Sequence, residues 1–566
     1  MVKPSNLTRR EFMRNAGRAA ASVAGSGVLL KGCSAHREYD LVIKQGLVLD
    51  GLGGPGRVAD VGIQGPLVKA IGDIPASKGF LEIDARGFAV APGFIDAHDH
   101  TGAELFVNPR AESAVRQGVT TLISGNCGST PFPVADPAYE ETRESIRKNF
   151  GIELDWRDIQ GFFERLERSK MAVNYATLAG HGNLRGAAMG FDDRPATAPE
   201  LERMCALVDG HMAQGAFGLS SGLEYTPGSF ARADELVALG AVVARHGGVY
   251  ATHMRDEGDR LLESLDETID TAKKSGVSLQ VSHFKVAYPR NWDKLEAAIG
   301  RVEAAKAAGV DILCDRYPYI AGATSLDINF PAWARAGTTK DFIARLKDPG
   351  LEGRLRSYLA GREKGLGSWD KVVISSVLTD KNKKFEGMNI LEAGRTAGKP
   401  PFEFMRDLLI EENNEVGVVL FMMKEENLRR ILAHPLVVIG ADSEALAPYG
   451  VLGRGKPHPR TYGTFARALG RYARDEKLLP LEEMVRKMTS TTARKFGLES
   501  RGVLKPGAYA DVVVFDPRTV IDQATWKDPH RYPTGVSHVV VNGTVVIKNG
   551  DHTGALPGRV LRKGRA

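Results

Sequence analysis

The stretch "APGFIDAHDH", Ala91–His100, sets two histidines and two aspartates behind an apolar run broken by Pro92 and Gly93. In an extended segment residues two apart face the same side, so His98 and His100 can reach one ion. The stretch also marks a change of texture. Before it, from Tyr39 to about Pro92, come short alternating runs such as "YDLVIKQGLVLDG" with turn glycines between them, the pattern of a small all-β unit. After it, the strand-like runs "TTLISGNC", "YATLAGHG", "AFGLSSG", "GVYATHM", "SLQVSHF", "DILCDRYPY" and "LVVIGADS" alternate with amphipathic helical runs such as "ADELVALGAVVARHG".

That alternation predicts parallel βα units, and a (β/α)8 TIM barrel over a doubly wound sheet. No glycine-rich phosphate loop occurs at a strand–helix junction. Near the other end, "GAYADVVVFDP" and "VSHVVVNGTVVIKNGD" are again β-like. Two β segments at opposite ends of a chain pair only if the part between returns to its start, as a closed barrel does. The expected architecture is therefore α/β: a barrel over residues 93–497 and a small β-sandwich built from 39–92 and 498–560. The interval 324–417, rich in charged helical sequence, is expected as an α-rich insertion over the barrel mouth.

Composition narrows the function classes. Of 566 residues, 43% are hydrophobic and 25% charged, as in soluble globular proteins. The net charge of +6 is concentrated in the first 33 residues, where Lys3, Arg9, Arg10, Arg14, Arg18 and Lys31 stand against Glu11 alone. The near-neutral remainder argues against a nucleic-acid partner. No later apolar run is long and uncharged enough to span a membrane.

The first residues read as a targeting segment. "TRREFMR", a small-residue apolar run and "LKGC" resemble a twin-arginine export signal. Leu30, Gly32 and Cys33 match a lipobox, from which Lys31 departs. The expectation is export to the periplasm, with membrane attachment only through a lipid on Cys33. The other cysteines, Cys127, Cys205 and Cys314, are too few for a disulfide framework. Cys205 and Cys314 fit buried apolar thiols, whereas Cys127 ends a strand in a glycine-rich turn.

Barrel catalysis takes place just after the strands, so strand ends are where chemistry is sought. His98, His100, Cys127, His253, His283 and Asp442 all end strand-like runs. Any one of these histidines alone is more often a packed or surface residue, but six such groups at one mouth supply the N, S and O donors that zinc takes. His181 in "AGHGNLRG" also ends a strand, where polarising a carbonyl and simple packing are equally open roles.

These residues bring a family into view. "GFIDAHDH" resembles the first-strand motif of the amidohydrolase superfamily. With "GVTTLISGNCG", "GAFGLSSGLEYTPG", "THMRDEGD", "VSHFK", "DRYPYIAGATSL" and "HPRTYGTFARALGRY", the chain from Tyr39 to Ile547 resembles the D-aminoacylases, the N-acyl-D-amino-acid deacylases. The resemblance implies a barrel with a β-sandwich and an inserted subdomain. It also implies a zinc ion held tightly by Cys127, His253 and His283, and a weaker site at His98 and His100 that Cys127 bridges. Asp442 would serve as general base and then general acid. Lys285, Arg460 and Tyr317, preferred over Tyr319, would hold the substrate's carboxylate. The implied substrate is a small N-acyl-D-amino acid.

The chain departs from the family at "SEALAPYG" after Asp442, where a glycine is usual. An inward Glu444 would repel acidic side chains, so neutral or hydrophobic D-amino acids are the expected substrates. Two competing readings remain at this level: another linear or cyclic amide hydrolase of hydantoinase or dipeptidase type, and a metal-binding envelope lipoprotein without catalysis. The general base Asp442 speaks against the second.

Overall fold

The computed structural model describes residues 37–75 and 78–564, so the export and lipobox readings at 1–33 lie outside the described residues. Five strands open this part: β1 (Tyr39–Val48), β2 (Arg57–Gln64), β3 (Leu67–Gly72), β4 (Gly79–Asp84) and β5 (Ala89–Pro92). β1 pairs antiparallel with β2 and parallel with β4 and β5. Residues two apart, Leu41 with Ile43 and Val61 with Ile63, face one small core, as the pleat requires.

The barrel begins with β6 (Phe94–Asp96) and β7 (Val119–Ser124), followed by helix α1 (Asp136–Phe150). Next come β8 (Asn174–Thr177), β9 (Ala179–Gly180) and β10 (Gly218–Gly222). β8 pairs with β7 and β9 with β10, so the two short strands share one position interrupted at Leu178. Three regular units follow: α2 (Ala233–Arg245), β11 (Val249–His253), α3 (Leu261–Ser275), β12 (Ser278–Val281), α4 (Leu295–Ala307) and β13 (Ile312–Arg316). The pairs among β10, β11, β12 and β13 are all parallel. β10 and β11 are buried along their whole length, as expected of strands covered by helices on one face and a filled interior on the other. Each helix buries residues three or four apart: Leu236, Leu239 and Val243 on α2, and Leu261, Leu265, Ile269 and Ala272 on α3.

After β13 the chain leaves the barrel. β14 (Ala321–Ser325), helix α5 (Pro349–Leu366), β15 (Val372–Ser376) and β16 (Gly417–Phe421) belong to the insertion, with an antiparallel sheet in the order β14, β16, β15. A separate core containing Leu355, Leu359, Phe404 and Leu408 holds it together. The insertion is therefore wider than 324–417 and not purely helical. Its two flanks zip together from Ala321 opposite Phe421 to Ser325 opposite Gly417.

β17 (Val437–Ile439) returns to the barrel parallel to β13. Beyond it, Asp442 N donates to His98 O (2.7 Å) and His100 N to Ser443 O (3.0 Å), which ties the last strand position to the first. Gly440 permits this approach, because a Cβ there would lie 2.6 Å from the His98 Cβ. Helix α6 (Arg460–Arg467) follows, and the chain ends in β18 (Val512–Phe515), β19 (Val536–Val541), β20 (Thr544–Lys548) and β21 (Asp551–His552). β18 pairs antiparallel with β5, so both chain ends join one nine-stranded sheet. The segment assigned to the sandwich up to residue 560 leaves it earlier. Tyr175 N in β8 donates to Arg559 O (2.9 Å) and Leu561 N to Tyr175 O (2.8 Å), so the tail lies on the barrel.

Candidate metal centre and active site

The strand ends converge as the barrel reading requires. His98 and His100 follow β6, Cys127 follows β7, His253 ends β11, His283 follows β12, and Asp442 follows β17. The backbone turns sharply where three of these side chains are presented: φ is 51° at Cys127, 35° at His283 and 55° at Asp442. Non-glycine residues adopt such angles at a cost of the order of 1–3 kcal/mol, which the surrounding structure must offset. Gly222 lets the Cys127 turn pack closely, since a Cβ there would sit 2.1 Å from Cys127 O.

Four side chains form the tightest group. The donor atoms of His98, Cys127, His283 and Asp442 all lie within 4.8 Å of one another. Cys127 Sγ is 3.4 Å from both His98 Nε2 and His283 Nε2. His100 Nε2 stands 3.2 Å from His98 Nε2 and 3.0 Å from Asp442 Oδ1. A second group joins His253, Glu257 and His283. His253 Nε2 rests 3.1 Å from Glu224 Oε2, and its ring centroid is 4.5 Å from that of His283. Cys127 and His283 thus stand between His98 and His100 on one side and His253 on the other.

Sequence reasoning missed the carboxylates that orient these rings. Asp315 is fully buried, and its Oδ1 lies 3.0 Å from His98 Nδ1 while accepting from His283 N at 2.7 Å. Gln280 Nε2 donates to its other oxygen at 2.8 Å. A proton on His98 Nδ1 then leaves Nε2 as a lone pair aimed at the thiol and at His100. Glu257 Oε1 lies 3.0 Å from His283 Nδ1 and takes the Lys285 ammonium at 2.6 Å on each oxygen. These carboxylates also sit at or just beyond strand ends, in "CDRYPY", "GLEYTPG" and "THMRDEGD". Extending the strand-end search from Asp442 to the other acids near strand ends would have found them.

The charges polarise one another. Burial alone would raise the Cys127 thiol, but the His98 and His283 imidazoles hold it well below its ordinary range. Burial likewise opposes ionisation of Asp442, and the Arg460 guanidinium with His98 and His283 overrides it, so this carboxyl stays well below the usual value. Burial disfavours charge on His100 and His253, yet carboxylates and the thiolate push both up to about 10. Imidazole lone pairs, a thiolate and a carboxylate, all favouring positive charge at their centre and fixed by second carboxylates, fit a divalent metal ion.

His100, Cys127, His253, His283 and Asp442 line one cavity of about 590 Å³ at the barrel mouth. Arg460 reaches it from α6, with Nη1 2.8 Å from Asp442 Oδ2 and its guanidinium carbon 4.6 Å from the Tyr317 ring centre. Tyr317 faces the cavity, whereas the Tyr319 hydroxyl donates to Asp522 at 3.1 Å. Lys285 also lines it, but its ammonium is engaged by Glu257 and stands 2.7 Å from His283 Nδ1. Glu444 is an exposed part of the wall. His181 is absent from the wall: fully buried, its Nε2 lies 2.7 Å from Glu235, which also pairs with Arg185. Of its two open roles, packing is the one this geometry favours.

The sequence profile of the amidohydrolase family matches residues 81–547. An N-acyl-D-glutamate deacylase of Alcaligenes xylosoxydans xylosoxydans is 36% identical over 530 residues, covering 93% of this chain and 97% of that protein. A D-aminoacylase of the same organism is 35% identical, covering 94% of this chain and 99% of that protein. The crystal structure of an N-acyl-D-glutamate deacylase from Bordetella bronchiseptica, complexed with zinc and a phosphonate mimic of the tetrahedral intermediate, superposes with a TM-score of 0.78. It is 32% identical and covers 93% of this chain and 100% of that one.

Proposed function

The chain belongs to the amidohydrolase family, in its D-aminoacylase branch, and from that membership we propose that it hydrolyses N-acyl-D-amino acids to a carboxylate and a free D-amino acid with bound zinc. The observation that carries the reading is the convergence of His98, Cys127, His283 and Asp442 on one point, where the last three also line the cavity. Cys127, His253 and His283 would hold the zinc, with His98 and His100 offering a second, weaker site that shares Cys127. When bound, the metal supplies polarisation of the scissile carbonyl and acidification of a water.

The remaining work falls to side chains. Asp442, kept ionised by Arg460 and the imidazoles, accepts the proton of the attacking water at its carboxylate. It then returns that proton to the departing nitrogen, which cannot leave as an amide anion. Arg460, stacked on Tyr317, offers its guanidinium to the substrate's carboxylate, and Lys285 adds positive charge on the same side. Asp315 and Glu257 hold His98 and His283 in place. The twin-arginine pattern supports export, and Cys33 supports a lipid anchor; fractionation of cells carrying Arg9→Lys with Arg10→Lys, and Cys33→Ala, tests both.

The deciding experiment measures metal content and the hydrolysis of N-acetyl-D-methionine, N-acetyl-L-methionine and a hydantoin. The wild type should release D-methionine selectively. Asp442→Ala should keep its metal and lose about 10²–10⁴-fold in rate, the usual contribution of a positioned acid–base group. Turnover of the hydantoin alone would move the chain to a cyclic-amide activity.

A further inference from the structure

The cavity wall is divided by charge. Apart from His100 and Cys127 at the metal centre, every acidic or basic side chain on it comes from Glu224 onward, that is from the loops after β10, β11, β12 and β17, from α6 or from the insertion. The part contributed by residues 128–191, over β7 to β9, carries none. Pro131, Val134, Ile146, Trp156 and Phe191 give it an apolar surface. Three of its polar groups are already used within the protein. Trp156 Nε1 donates to Pro131 O at 2.9 Å, Asn183 Oδ1 accepts from Thr130 N at 2.8 Å, and the Thr130 hydroxyl donates to Phe132 O. An occupant of this lobe meets no charge and gains chiefly from leaving water.

The order of atoms in the proposed substrate says which part reaches it. The carboxylate and the side chain both branch from Cα, on the amine side of the scissile bond. The acyl chain alone lies beyond the carbonyl carbon. With the carboxylate at Arg460 and Tyr317 and the carbonyl at the His98–Cys127–His283–Asp442 centre, the acyl chain leaves on the far side, past Cys127. Strand order puts β8, β9 and β10 across the ring from β13 and β17, which is where the uncharged lobe begins. Size points the same way. The cavity of about 590 Å³ corresponds to roughly twenty water volumes, far more than the dozen or so non-hydrogen atoms of an N-acetyl amino acid require.

We propose that this lobe is an acyl-chain site and that the substrates are D-amino acids N-acylated with a medium-length hydrocarbon chain rather than acetyl. The inference rests on the deacylase activity proposed above. The amide C–N bond breaks, the water oxygen bonds to the carbonyl carbon, and the water proton passes to the amine, so the products are a fatty carboxylate and a free D-amino acid.

The test is kcat/KM for the N-acetyl, N-butanoyl, N-hexanoyl, N-octanoyl and N-decanoyl derivatives of D-methionine, each below its aggregation concentration. The expected rise is about two- to fourfold per added methylene until the lobe is full, with ~0.8 kcal/mol per CH₂ as the value at full burial. Ile146→Asp, which places a charge in the lobe, and Thr142→Trp, which fills it, should each lower the octanoyl-to-acetyl ratio at least tenfold. The ratio is read within each variant, so partial misfolding cancels. A flat or falling series with the acetyl compound still hydrolysed overturns the acyl-site assignment and leaves the deacylase intact. A rising series that neither variant alters overturns the location. Failure to hydrolyse any member by well-folded, metal-loaded protein overturns the activity itself, and this inference with it.

Discussion

At the scale of single residues, Asp315 carries more of the site than any strand-end count suggests. One oxygen faces His98 Nδ1 and takes the His283 backbone N–H, so it fixes two metal-facing groups from β13. Asp315→Asn keeps the shape but removes the charge that holds His98 in its tautomer. The expected result is a 10- to 100-fold loss of metal affinity, the usual effect of losing such a partner, measured by chelator competition with circular dichroism unchanged. Unaltered affinity would show that packing alone orients His98. Glu444 is the second residue-scale case. Exposed on the cavity wall, it should disfavour acidic substrates. N-acetyl-D-methionine is expected to outpace N-acetyl-D-glutamate, and Glu444→Gln to narrow that gap; a faster glutamate derivative would reverse the assignment. The six strand-end donors were legible in the sequence because a barrel gives strand ends a common address. The left-handed backbone at Cys127, His283 and Asp442 was not, since even aspartate and histidine, which favour it over most residues, adopt a positive φ in only a minority of positions.

At the scale of elements, His458 joins the insertion to the site. Its Nε2 donates to Ala321 O at the start of β14 (2.9 Å), and its Nδ1 accepts from Arg460 N at the start of α6 (2.9 Å). Burial and then the Arg460 guanidinium hold its pKa well below the ordinary histidine value. Folded protein therefore refuses a proton that the unfolded chain takes up at about pH 6.5. A depressed pKa contributes stability that is present above pH 6.5 and is lost progressively as the pH falls below it. Thermal denaturation between pH 8 and 5 should show this acid loss in the wild type and a shallower slope in His458→Gln, which can still donate and accept. Equal slopes would place the acid sensitivity elsewhere. The insertion's extent was only partly legible. "VVISS" and "GVVLF" are short apolar runs, and such runs do not distinguish a small antiparallel sheet from barrel strands or a buried helix segment. Only the pairing of Ala321 with Phe421 reveals where the insertion starts and stops.

At the scale of the whole molecule, the chain ends matter for a reason beyond the shared sheet. The echo between "VVVNGTVVIKNG" and "LVIKQGLVLDG" made the return of the chain to its start readable, because both ends carry the same strand pattern. The tail after β21 has no such pattern, and its place is set by contacts no periodicity encodes. Gly558 N donates to Met171 O (2.8 Å), Arg559 and Leu561 bracket Tyr175 on β8, and Lys563 N donates to Gly215 O (3.0 Å). Gly558 allows the closest approach, since a Cβ there would stand 2.0 Å from Val173 O. Leu561 is buried among Ala176, Phe217 and Phe496. The tail thus acts as an outer strap on the barrel position that carries β8 and β9. Burying a leucine contributes ~1.5–3 kcal/mol, and each backbone hydrogen bond adds ~0.5–1.5 kcal/mol net. Ending the chain after Gly554 should therefore cost several kcal/mol and lower the unfolding midpoint clearly. At a temperature where the shortened protein is still folded, its kcat should match the full chain, because among the described residues none of the strap's hydrogen bonds reaches a residue on the cavity wall. A shortened protein of undiminished stability would show the strap to be held by the barrel without holding it in return. One that is folded but inactive would mean that the β8–β9 position, whose loops line the uncharged lobe, depends on the strap for its geometry.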